Sequence, residues 1–128
     1  MNEVLLMFRA AWIGMLAGTV AGALFGLFFH RDDWMGGYSS FRRRMMRLGH
    51  IACFGLAFVN FFFGITCFVM QFKSPLAHWA AWAFIIGAIT MPTCCFLSAW
   101  RKPFRHLFPI PVVSVATGII LTLVLCQT

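Results

Sequence analysis

The stretch "FRRRMMRLGHIACFGLAFVNFFFGITCFVM", residues 41–70, decides the fold class. It opens on three arginines, adds Arg47, and then runs from Leu48 to Met70 without a charge. About 20 apolar helical residues cross the ~30 Å hydrocarbon core of a bilayer, so this run is long enough to span it. A lone strand would leave backbone N–H and C=O groups unpaired in lipid, so the span reads as a helix. His50 stands one turn inside the apolar run, and its role is the first functional question.

Working outward, three further spans appear, giving 10–29, 46–70, 76–99 and 107–125. They are joined by "HRDDWMGGYSSFRRR", "QFKSPLA" and "WRKPFRH", with no separate soluble domain expected. The expectation is an all-α integral membrane protein, a single domain of four transmembrane helices in a compact bundle. The first span reads as a retained helix, because "LFGLFFHRDDW" offers no small-x-small cleavage site before the charges. Composition agrees with the class. The chain is 62% hydrophobic and only 10% charged, where soluble domains carry about a quarter charged residues.

A sequence pI near 10 raises nucleic-acid binding, since clustered Lys and Arg neutralise phosphates. Position argues otherwise. Arg31, Arg42, Arg43, Arg44 and Arg47 share one connector and its helix start, and Arg101, Lys102 and Arg105 share another. Only Arg9 and Lys73 lie elsewhere, and concentration of the other eight in alternate connectors follows the positive-inside rule. Nucleic acid is therefore not expected as a partner. Both termini are expected on the non-cytoplasmic side, with the bacterial inner membrane as the expected location. Arg42, Arg43, Arg44, Arg47, Arg101, Lys102 and Arg105 are expected to meet anionic lipid headgroups, at about 1 kcal/mol each. Trp34 and Trp100 fall at the basic interface, and Trp12, Trp79 and Trp82 toward the other.

Small residues set the expected packing. Gly14, Gly18, Gly22 and Gly26 recur every fourth residue along one helix face, where another backbone can approach closely. In the second span His50, Cys53, Ala57, Asn60, Gly64, Cys67 and Gln71 form one stripe at alternating three- and four-residue spacing. Phe54, Phe58, Phe61, Phe62 and Phe68 fall off that stripe and are expected to face lipid or a partner. Asn60 and Gly64 join the glycines as packing positions, Asn60 through an interhelical hydrogen bond on the order of 1 kcal/mol. Ala80, Ala83, Gly87, Thr90, Cys94 and Ser98 make a matching stripe in the third span, and Ser114, Gly118 and Thr122 in the fourth. Ser39 or Ser40 caps the second helix. Pro92 should kink the third, with Thr90 or Thr93 meeting the carbonyls it frees.

Chemistry has few candidates. His30, His50 and His106 lie toward the basic side, where two imidazoles could hold a b-type haem with arginines on its propionates. His50 and Cys53, with His30 or Asp33, make an incomplete metal set, so no metal is expected. Cys67 and Cys126 approach the same end and form a candidate disulfide. The acids, Glu3, Asp32 and Asp33, lie outside the spans, against a proton-coupled carrier or a catalytic pair. The leading expectation is a non-enzymatic accessory subunit that docks on a larger respiratory or transport complex. The alternatives are a haem electron-transfer protein using His50 with His106 or His30, and a homo-oligomer joined through the glycine face.

Overall fold

The structure is a computed structural model and describes residues 2–127. Its architecture consists of four α-helices: α1 (Asn2–Gly26), α2 (Phe41–Met70), α3 (Leu76–Trp100) and α4 (Pro109–Leu125). All four are long and apolar enough to cross a membrane, α4 when counted with the 3-10 turn over Lys102–Leu107 that leads into it. Both α1 and α2 begin well before the expected 10 and 46. Hydropathy marks the hydrocarbon core, whereas helical hydrogen bonding continues through Arg, Met and Leu, which are good helix formers.

Local chemistry explains the joints. Ser40, not Ser39, caps α2: its Oγ accepts the Arg43 backbone N–H at 3.1 Å and donates to the Met35 carbonyl at 2.7 Å. Gly36 and Gly37 precede it at φ +87° and +92°, a region that glycine enters without a side-chain clash. Pro92 lies inside α3, which remains one helix through it. The carbonyl its missing N–H leaves free is that of Ala88. Thr90 and Thr93 do not reach it; their hydroxyls donate to Ile86 and Ile89, each one turn back on its own helix.

Successive helices pack on each other, with α2 between α1 and α3 and α3 between α2 and α4. At the α1–α2 seam, α2 side chains sit over α1 glycines: Ala57 on Gly14, Phe54 on Gly18 and His50 on Gly22. Nearer the chain ends the roles reverse, and Met7 and Phe8 cover Gly64. Phe96 lies on Gly49 across α2–α3, and Phe63 and Phe84 meet at 5.1 Å. Between α3 and α4, Val115 covers Gly87 and Phe84 covers Gly118, while Ser114 Oγ donates to the Ala83 carbonyl at 2.7 Å. Met7, Phe63, Cys67, Ala80, Ala81 and Phe84 form the core cluster, with Leu121 of α4 packed against it.

The four helices pack as a bundle whose fourth member is held mainly on one side. Among the described residues α4 builds its interface on α3, with no comparable interface on α1, whereas α1 touches both α2 and α3. The reason lies in α3, which is buried on two sides at Ala77, Ala80, Ala81, Phe84, Gly87, Cys94, Cys95 and Ser98. Its core window is 44% buried against 17% for α1 and 11% for the α4 span, so the outer helices leave most of their surface open.

Two further expectations change. Phe58, Phe62 and Phe68 are exposed, but Phe54 packs on α1 at Gly18 and Phe61 meets Phe8 at 5.3 Å. All five cysteines are free, so the Cys67–Cys126 bridge does not form. Cys67 is buried in the core cluster, whereas Cys126 is exposed beyond the end of α4.

Candidate functional site

His50 is placed by the α2 stripe, which buries Cys53, Ala57, Asn60, Gly64 and Cys67. Its ring lies over Gly22 with Phe25 at 6.4 Å and Phe54 at 5.4 Å, both edge-on. Nδ1 is buried with no hydrogen-bond partner. His30 and His106 are exposed in separate connectors, and the rings in contact with His50 are those of Phe25 and Phe54. Among the described residues no three of His, Cys, Asp and Glu converge as a metal-binding group, so Cys53, His30 and Asp33 do not complete a set with His50.

Asn60 is fully buried, yet it does not bridge helices. Its Nδ2 donates to the Leu56 carbonyl at 2.7 Å, one turn back on α2, and its Oδ1 has no partner. The threonine hydroxyls at Thr19, Thr66, Thr117 and Thr122 behave alike, each donating to the carbonyl four residues earlier. These threonines therefore bond within their own helices, whereas Ser114 bonds across to α3 and the buried Ser98 hydroxyl has no partner.

Because α4 does not cover α1, a groove stays open between α1 and α3. It has a volume of about 570 Å³ and a floor of small residues, Gly14, Ala17, Cys53, Ala88 and Pro92. Ile13, Trp82, Ile89 and Phe96 stand at its sides, with Arg9 also on its lining. Among the described residues Arg9 makes no hydrogen bond, ion pair or ring contact, and it is exposed. Comparison with protein-family models, curated proteins and solved structures gives no match to this chain. The site is read from its own geometry.

At the same end as Arg9, Trp82 Nε1–H donates to His78 Nε2 at 3.1 Å. That makes Nε2 the accepting nitrogen and leaves His78 Nδ1 toward Glu3, whose Oε1 is 3.6 Å away on α1. This chain ties α1 to α3 at one end of the groove. Sequence reasoning missed both it and the groove. His78 and Trp82 are four residues apart and share a helix face, which was a readable signal.

The basic end also departs from expectation. Arg42, although exposed, uses its Nε to donate to the Ala99 carbonyl at 3.0 Å, satisfying one of the last carbonyls of α3. Arg43 is 5% exposed and lies within 6 Å of the rings of Phe29, Trp34 and Tyr38. Arg44, Arg101, Lys102 and Arg105 are exposed as expected, and Arg47 is half-buried beside Tyr38. The tryptophan and tyrosine interleaved with the arginine run were the signal for this aromatic enclosure.

Proposed function

We propose that the protein is a small non-catalytic membrane subunit that docks on a larger membrane assembly through the face shared by α1 and α3. The observation that carries this reading is the open groove with a small-residue floor and the unpaired Arg9 on its lining. Small residues let a further helix approach closely enough for van der Waals contact to hold it. A lone guanidinium inside a span is costly, by about 2.5–3.5 kcal/mol at a helix centre and less toward the ends. A partner helix presenting a carbonyl or carboxylate near Arg9 offsets that cost. Neither the apolar faces of α4 nor the exposed phenylalanines of α2 combine a concave floor with an unpaired charge.

In this reading the basic connectors face the cytoplasm, both termini face outward, and the membrane is a bacterial inner membrane. The glycines at 14, 18 and 22 are occupied by α2, which argues against their serving as a seam between copies.

The test is extraction of the native protein in mild detergent, with its mass and visible spectrum recorded. The expected result is a colourless complex of fixed stoichiometry that dissociates in Ala88→Leu, a variant that fills the groove floor, while helix content is kept. A lone monomer in both wild type and variant contradicts docking. A Soret band lost in His50→Ala contradicts the non-haem reading.

A further inference from the structure

The connector between α1 and α2 wraps its aromatic side chains around one arginine. Phe28 and Trp34 stack at 5.8 Å, and Phe29 stands edge-on to Trp34 at 5.9 Å. The Arg43 guanidinium carbon lies 5.3 Å from the Phe29 ring centre, 5.6 Å from Trp34 and 5.5 Å from Tyr38. A guanidinium carries five N–H donors. Arg43 uses one side-chain bond, from Nη2 to the Phe29 carbonyl at a long 3.5 Å, and its buried Nε has no partner. Among the described residues no carboxylate pairs with it. Ring contacts contribute about 0.5–2 kcal/mol each, whereas taking a charge out of water costs several. The enclosure therefore orients this charge without satisfying its donors.

Arg47 follows one turn later on α2, 4.2 Å from the Tyr38 ring centre, and donates Nη2 to the Tyr38 carbonyl at 3.3 Å. Phe29, Asp32, Tyr38, Arg43 and Arg47 line one recess of about 740 Å³. We propose that this recess binds the phosphodiester group of a single membrane lipid through Arg43 and Arg47. Two guanidinium groups and one carboxylate leave a net lining charge of one positive unit, which matches the single negative charge of a phosphodiester. Planar guanidinium forks suit phosphate oxygens, and phosphate oxygens supply the acceptors that Arg43 lacks. Aromatic and basic side chains together mark the depth of lipid headgroups. The site stands independently of the docking face on α1 and α3.

Native mass spectrometry of the detergent-solubilised protein, titrated with short-chain phosphatidylglycerol, tests the proposal. One saturating equivalent is expected, with affinity weakened about tenfold or more in Arg47→Gln, the scale of one charge-assisted hydrogen bond. Arg43→Lys, which keeps the charge and loses the planar fork, should weaken it as well. Arg44→Gln, exposed and outside the recess, should leave it unchanged. Equal weakening by Arg44→Gln would reduce the effect to diffuse charge and overturn the site. Equal binding of diacylglycerol, which has tails but no phosphate, would overturn it as well. Competition by inorganic phosphate at matched concentration would overturn the lipid as its source. Absence of a saturable equivalent would do so outright.

Discussion

Gly22 and Gly26 stand one turn apart on α1 and differ in what a methyl group would meet. A Cβ at Gly22 would lie 2.6 Å from His50 Cε1, whereas one at Gly26 would meet nothing within 4 Å. Gly22→Ala is expected to destabilise by about 1–3 kcal/mol through overpacking, or to force the His50 ring aside. Gly26→Ala should stay within about 0.5 kcal/mol of wild type. Unfolding midpoints in mixed micelles compare the two, and equal effects would contradict the α1–α2 seam. Asn60 makes the opposite case. Its Oδ1 is buried without a partner, a condition that costs about 1–3 kcal/mol. Asn60→Leu is therefore expected to hold or raise the midpoint. A clear drop would show that the amide has a partner across the seam.

At the scale of elements, α2 depends on its cap and α4 on a single neighbour. Ser40→Ala removes both the bond accepted from Arg43 and the one given to Met35, and should cost about 0.5–2 kcal/mol. Gly118→Leu drives a side chain into Phe84 and should loosen α4 alone. Hydrogen exchange is then expected to rise over residues 109–125 while the α1–α2 seam stays protected; uniform loss of protection would mean that α4 is part of a closed bundle. Sequence showed most of the residues of α2 that turn inward, because the stripe from Cys53 to Cys67 follows helical spacing and, Gly55 apart, is flanked by larger residues. Which helix each stripe meets was not legible. Small-residue stripes on all four helices suit an α4 packed on α3 alone or on α1 as well, and only the second buried face of α3 distinguishes them. Asn60 was read as an interhelical donor because spacing gives its face, whereas the choice between Leu56 and a neighbouring helix depends on side-chain geometry. Arg43 was read as a surface charge because its enclosure comes from Phe29, Trp34 and Tyr38, brought together by a glycine turn that periodicity does not describe.

At the scale of the whole molecule, an α4 held mainly on one side leaves α1 and α3 flanking a concave strip of small residues, and the docking proposal rests on that shape. Composition made the membrane class legible, since four long apolar helices follow from charge-free runs. The groove was not, because it arises from where α4 fails to pack. Site-specific photo-crosslinking in native membranes tests the docking face most directly, with the photoreactive residue placed at Ile89 on the groove or at Phe62 on the exposed side of α2. The account predicts one polypeptide of defined mass crosslinked from Ile89, lost when Ala88→Leu is added, and none from Phe62. Crosslinks to lipid alone from Ile89, or the same product from both positions, would contradict it.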